Sequence, residues 1–392
     1  MPPDPDQPGT DPQVPGNPPD PPGAGGTGRS GSVALVHDYL TQRGGAERVV
    51  LALATQYPAA PIHTSLYDPD GTFPEFAGLD VRTMALDRLA LFRRHHRLAL
   101  PVLAPAFSRL QVDAGVVICS SSGWAHGAKV HGRKVVYCHT PARWLYQSDR
   151  YLDGQSKASA AALSLMAPPL RAWDRRAAAS ADRYLVNSTA VQRRVSELYG
   201  IDAEVVPPPV DVDPGGVQEP IAGLDPGFVL CVSRLLAYKN VEAVTAAFRQ
   251  LPDQRLVVVG SGPLADQIAA TRPPNVSVLG RVTDANLRWL YASSSGLVAA
   301  SYEDFGLTPV EAASFGRPTA ALRWGGFLDT TAEGSTGVFF DEPLPHLIAR
   351  AVEQMTEISW SEAALMAHAR LFSPARFAQR IQVVVAEELA AS

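Results

Sequence analysis

From residue 32 onward, short apolar runs recur along the chain, and each is closed by a small or polar cluster. Ser32-Val-Ala-Leu-Val-His37-Asp38 reads as a buried strand. Arg43-Gly44-Gly45-Ala46-Glu47-Arg48 then turns into a helix carrying Val49, Val50, Leu51 and Leu53. Residues 114–122, 134–138 and 184–188 repeat the strand with a polar end, and Asn187-Ser188 can cap a helix over 189–198. Three prolines, Pro207 to Pro209, break the pattern, and residues 213–226 are rich in Pro and Gly, as a linker would be. A second alternation follows. It has strands at 228–232, 255–259, 276–279, 295–301 and 317–322, and helices over 241–251 and 284–291. Ser373 is placed to cap a last helix running to Leu389. Strand–helix alternation in both halves predicts an α/β chain with two parallel, doubly wound sheets.

The densest stretch is Glu303-Asp304-Phe305-Gly306-Leu307-Thr308-Pro309-Val310-Glu311, which follows the strand 295–301. Thr308 reads as an N-cap, Pro309 as the first helical residue and Glu311 as the third. Both glutamates can then face a crevice at the carboxyl end of a strand, where open α/β sheets bind ligands. The same spacing also fits a capping box, in which Glu311 merely satisfies the Thr308 amide.

Composition narrows the function. A formal charge of −5 argues against nucleic acid as the main partner. Cys119, Cys138 and Cys231 are far apart and lack metal-type spacing, which suggests a reducing, cytoplasmic setting and no metal. No basic-then-apolar leader and no spanning apolar run is evident. Residues 1–30 hold ten prolines, six glycines and four aspartates without an aromatic, so a disordered tail is expected. Across 86–104 a basic cluster, Arg93, Arg94 and Arg97, interleaves with leucines. Such a segment suits either an anionic inner-leaflet surface or an ordinary solvated helix.

The second half sets Arg234, Lys239, the Gly260–Gly262 turn, Glu303 and Glu311 at strand ends. Cations, glycine turns and a helix start suit a diphosphate, and carboxylates suit sugar hydroxyls. A nucleotide-sugar carries all these parts. In the first half, His139 follows a strand and precedes Thr140-Pro141, which puts it over a sheet edge.

At this point the chain resembles a known family. Ser233-Arg234-x4-Lys239-Asn240, Gly260-x-Gly262-Pro263, Leu279-Gly280-Arg281-Val282 and Glu303-x7-Glu311 are similar to the family 4 retaining glycosyltransferases of GT-B fold, over residues 32–388. The segment Tyr137-Cys-His139-Thr-Pro141-x-Arg143-Trp144 resembles a mannosyltransferase branch of bacterial polysaccharide assembly. The resemblance implies an acceptor-binding domain over 31–212, a linker over 213–226 and a nucleotide-sugar domain over 227–375. A terminal helix over 376–392 would return to the first domain. It further implies that Arg234 and Lys239 bind the diphosphate and that Glu303 contacts the transferred sugar. Phe305, Gly306, Leu307 and Thr308 would offer amides, Glu311 would hold the ribose, and Arg281 and Val282 would border the base. Gly44 and Gly45 would meet the diphosphate from the other domain, with His139 beside the reacting sugar. The implied reaction moves a hexose, mannose from GDP-mannose foremost, to a lipid-linked or glycan acceptor, without a metal. Trp324 departs from the family's usual small residue before Gly325-Gly326. A nucleotide-sugar epimerase of the same fold and a non-catalytic nucleotide-sugar binder remain alternatives. A Rossmann dehydrogenase is disfavoured, since Gly44-Gly45-Ala46-Glu47 lacks the glycine spacing that enzyme needs.

Overall fold

In the computed structural model, which describes residues 32–94, 100–147, 157–210 and 212–392, the two alternations form two separate sheets. The tail expected at 1–30 and the part of the basic cluster from His95 to Arg97 lie outside the described residues. The first sheet contains β1 (Val33–His37), β2 (Ile62–Thr64), β3 (Val81–Thr83), β4 (Gln111–Ser121), β5 (Lys129–Cys138), β6 (Arg183–Val186) and β7 (Glu204–Val205). The second contains β8 (Phe228–Val232), β9 (Leu256–Val259), β10 (Val276–Val278), β11 (Ser294–Ala299), β12 (Thr319–Leu322) and β13 (Gly337–Phe340). Their orders are β3-β2-β1-β4-β5-β6-β7 and β10-β9-β8-β11-β12-β13, with every pairing parallel.

The strands are nearly continuous apolar runs because helices cover both faces of a parallel sheet. Alternation along them divides the first-half core. Val36, Val117, Cys119 and Val136 pack on one face, and Leu35, Val116, Ile118 and Val135 on the other. In each half the chain winds outward from a central strand and then returns to that strand's other side. The winding therefore reverses between β1 and β4, and again between β8 and β11. Such reversals open a crevice at the carboxyl ends of the two strands.

Seven helices matter for the site: α1 (Gly45–Gln56), α2 (Ala90–Arg94), α3 (Arg143–Tyr146), α4 (Thr189–Tyr199), α5 (Val241–Ala247), α6 (Leu307–Ser314) and α7 (Pro374–Ala390). Ser188 caps α4 by accepting from the Val191 amide, and Ser373 caps α7 by accepting from that of Arg376. The helix expected over 241–251 stops at Ala247. Asn275 Nδ2 donates to the carbonyls of Phe248, Leu251 and Gln254, holding the following residues in tight turns instead. Val212, Ile221 and Leu224 pack on the second-half core, so the Pro- and Gly-rich connection lies along that half. Helix α7 crosses back. Phe377, Ile381, Val384 and Val385 join Leu35, Val50 and Ile62, while Arg380 pairs with Glu204 and Arg133 with Glu388.

Candidate active site

The loop after β8 carries Arg234 and ends in a single turn, Ala237–Lys239. Asn240 leaves that turn at a left-handed φ of 55°, and its side-chain amide donates 2.7 Å to the Ala300 carbonyl. This bond ties the β8 loop to the end of β11. Lys239 is buried, and its Nζ donates to Glu303 Oε1. Burial, followed by the charges of Arg234 and Arg143, pulls the Lys239 pKa down to about 7. The neighbouring Glu303 carboxylate favours the charged ammonium. Arg234 is exposed beside Lys239 and donates 3.1 Å to the Tyr238 hydroxyl. Arg234, Lys239 and Glu303 thus converge at the winding reversal of the second sheet.

The expected cap at Thr308 is not formed. Gly306 caps α6 at φ 88°, so Leu307 is the first helical residue, Thr308 the second and Glu311 the fifth. A glycine is required there both by that φ and by space, since a Cβ would lie 2.5 Å from the Phe327 ring. With the capping box gone, Glu311 is turned inward and accepts from the Tyr291 hydroxyl at 2.6 Å. Burial raises its pKa, against the pull of that hydroxyl and of Arg48 on α1. The Phe305 side chain packs against Phe372 in a small core of its own. The first turn of α6 still points its amides out of the helix beside Glu303.

The glycine turns prove to be close-packing devices. A Cβ on Gly260 would sit 1.8 Å from the Ser233 carbonyl oxygen, and one on Gly262 would sit 2.3 Å from that of Leu235. These glycines let the loop bearing Arg234 lie on the end of β9. Gly326 donates its amide to the Glu303 carbonyl at 3.0 Å, and a Cβ on it would lie 2.2 Å from the Phe305 carbonyl oxygen. Trp324 meets Tyr302 edge-on at 5.2 Å, which accounts for the large residue before the glycine pair. Arg281 Nε reaches Ser261 Oγ at 3.2 Å, and Val282 lies half-buried on the second core. From the first half, Gly44 caps α1, and a Cβ on Gly45 would lie 3.7 Å from Leu307. The two domains meet at this point.

His139 belongs to a buried network on the first-half side. Its Nε2 lies 2.8 Å from Ser120 Oγ, which is 3.1 Å from His37 Nδ1. Burial lowers the His139 pKa to about 3, so the ring is neutral at physiological pH. Glu47 Oε1 stands 3.9 Å from His37 Nε2. Burial alone would lower the His37 pKa, but the bond to Glu47, the charges of Glu47 and Asp38 and the Ser120 carbonyl together raise it. Beside this network, Asp38 accepts from the amides of Ser122, Trp124 and Ala125. Tyr137 donates 2.8 Å to the Val206 carbonyl, and Trp144 stacks on Trp124 at 4.8 Å. Much of the Tyr137–Trp144 segment is therefore spent on packing.

One feature of the site was not visible in the chain. Asp304, next to Glu303, is clasped by two arginines of the facing half: Arg143 Nε and Arg194 Nη1, each at 2.8 Å. Burial would raise its carboxyl pKa, yet Arg143 and Arg194 hold it below the usual range. The Asp304 carbonyl accepts from Ser188, and Asp329 accepts from both Thr189 N and Oγ1. The pairing of Arg143 with Asp304 joins two stretches 161 positions apart, and no local spacing rule reaches that far.

Two family models match the chain in tandem: the Glycosyltransferase Family 4 model over residues 43–214 and the Glycosyl transferases group 1 model over residues 218–371. In order and extent, the two halves of the chain match the two domains of the family 4 and group 1 glycosyltransferases. A D-inositol 3-phosphate glycosyltransferase of Mycobacterium leprae is 31% identical over 218 residues, covering 49% of this chain and 50% of the relative. A Mycobacterium sp. protein with the same description is 33% identical over 199 residues, 44% and 45% of the two chains. The chain thus spans about half the length of the curated relatives it matches. Among solved structures, Anabaena HepE in complex with UDP-glucose superposes with a TM-score of 0.65 at 19% identity, covering 92% of this chain and 100% of HepE. Sucrose-phosphate synthase from Thermosynechococcus elongatus gives 0.65 at 18% identity, with 92% and 99% covered. These likenesses establish the two-sheet GT-B architecture.

Proposed function

We propose that the chain transfers a hexose from a nucleoside-diphosphate donor, with retention of configuration, to a lipid-linked or glycan acceptor. The observation that carries this reading is the convergence of Arg234, Lys239 and Glu303 beside the start of α6, at the reversal point of the second sheet. Arg234 and Lys239 supply countercharge to a diphosphate and to the nucleotide as it leaves. The amides at the start of α6 add donors for phosphate or sugar oxygens. Glu303, with one oxygen on Lys239, keeps acceptor capacity for hydroxyls of the sugar. Glu311, oriented by Tyr291, faces the place where the ribose would lie, and Arg281 and Val282 border the base. Gly44 and Gly45 close on the diphosphate from the first half, and neutral His139 orients the sugar.

Mannose from GDP-mannose is the donor suggested by the Tyr137–Trp144 segment, and the UDP-glucose held by HepE makes a UDP-hexose its competitor. The mycobacterial relatives add inositol phosphate to the acceptors worth offering. A bound donor stabilises the fold by about 2.7 kcal/mol at a hundredfold excess over Kd. Thermal-shift measurements with GDP-, UDP- and dTDP-hexoses should therefore raise the melting temperature for one base in particular. Lys239→Ala should abolish that rise while leaving the unliganded melting temperature within a few degrees of wild type. A rise retained in full by Lys239→Ala would remove the diphosphate from this site.

A further inference from the structure

Glu303 has a short tether on each side. Behind it, its carbonyl accepts the Gly326 amide within its own half. Ahead of it, Asp304 is held from the opposite half by Arg143, Arg194 and the Ser188 hydroxyl. The three partners come from two elements. Arg143 begins α3, Arg194 lies inside α4, and Ser188 caps α4. Ser188 stands at the β6–α4 junction, where Thr189 also grips Asp329 of the second half. Asp304 is only 4% exposed, and its carboxylate lies between two guanidinium groups. A planar fork meeting a carboxylate fixes direction as well as distance.

Resting on the function proposed above, we infer that Asp304 is a positioning residue, which sets Glu303 and Lys239 in reacting geometry only while Arg143 and Arg194 of the other domain grip it. The coupling follows from covalent geometry. Asp304 and Glu303 share a peptide plane, so a carboxylate seated between the two arginines limits where the Glu303 side chain can point. Lys239 follows Glu303 through their direct contact. When the halves part, Asp304 loses its partners, and the loop keeps only its second-half contacts, to Gly326, Lys239 and Phe372. The nucleoside diphosphate is held chiefly by Arg234, Lys239 and α6, all in the second half, with Gly44 and Gly45 adding only a close approach from the first, so its affinity depends little on the clamp. The transfer step needs the clamp, because it requires the first half to be in place. Displacements of about 1 Å in such constellations cost on the order of 100-fold in rate.

The test is Asp304→Asn, which keeps the shape of the side chain and removes its charge. With the donor that stabilises wild type best, kcat should fall on the order of 100-fold, while the affinity for the matching nucleoside diphosphate stays within about twofold, a difference below 0.5 kcal/mol. Small-angle scattering with nucleotide bound should show a more open particle than wild type. Wild-type kcat in Asp304→Asn overturns the inference. So does a parallel loss of nucleotide affinity, which would put Asp304 in the donor pocket itself. If Asp304→Asn does not fold, Arg143→Lys keeps the charge and loses the fork that Nε and Nη2 of Arg143 make on Asp304. It should lower kcat roughly tenfold at unchanged nucleotide affinity, since half the paired geometry is lost, and an unchanged kcat again overturns the inference. A wild-type chain that turns over none of the donors contradicts the function reading instead. The clamp is then judged by scattering alone, where equal particle dimensions for wild type and Asp304→Asn would overturn it.

Discussion

Lys239 decides how the site answers to pH. In the proposed function its ammonium must be charged to hold a diphosphate, and burial together with two nearby arginines brings its pKa down to about 7. A bound diphosphate favours the charged form, so the pKa in the complex lies higher than in the free protein. Between those two values, binding takes up a proton, and affinity falls as pH rises, by at most tenfold per pH unit for one proton. The nucleotide's own terminal phosphate is already ionised above its second pKa of about 6. Titration calorimetry with the nucleoside diphosphate at pH 6.5, 7.5 and 8.5 should therefore show progressive weakening above about pH 7. In Lys239→Met this pH dependence should vanish along with most of the affinity. Equal affinity at all three values in wild type would mean that Lys239 does not carry the diphosphate's countercharge.

At the scale of elements, strand positions were legible because parallel strands buried on both faces are written as apolar runs with polar ends. Arg234, Lys239 and Glu303 could be assigned to sheet edges on that ground, before any distance was known. The start of α6 could not be placed correctly. Thr308-Pro309 offered a strong capping signature, but the left-handed glycine at 306 began the helix two residues sooner, and only the nearby Phe327 ring reveals why. The clamp on Asp304 was illegible for a different reason: its partners come from α3 and α4, and nothing in either segment alone marks them. The glycines of the 260–262 turn were visible, yet the backbone they make room for was not. The basic segment stands between these cases. Leu89 and Leu91 are 54% and 59% exposed around the start of α2, while Arg93 donates 2.7 Å to the Asp87 carbonyl. Those exposed leucines are where the anionic-membrane reading of this segment is put to the test. Leu89→Asp with Leu91→Asp should reduce co-sedimentation with vesicles of anionic phospholipid several-fold, by loss of apolar contact and by charge repulsion, without changing nucleotide affinity. Unchanged sedimentation would leave α2 as an ordinary exposed helix.

On the scale of the whole molecule, the fold divides its labour between two reversal points. The second half presents cations, a helix start and two carboxylates; the first presents a neutral His139 in a buried network and the start of α1. Among the described residues no helix is long and apolar enough to cross a membrane. Helix α7 belongs to the last stretch of chain but packs in the first-half core, so the two halves are joined at both the 206–227 connection and the return. The central claim, a hexose moved with retention by the Lys239–Glu303 site, is tested most directly by product analysis. Wild type and Glu303→Ala would be incubated with GDP-mannose and UDP-glucose, each offered a polyprenyl-diphosphate sugar and inositol 3-phosphate. Nucleotide release would be followed, and the anomeric configuration of the product read by NMR. The account predicts acceptor-dependent release from one donor, an α-linked product from the α-linked donor, and a loss on the order of 100-fold or more in Glu303→Ala. A β-linked product, release that needs no acceptor, or near-wild-type transfer by Glu303→Ala would contradict it.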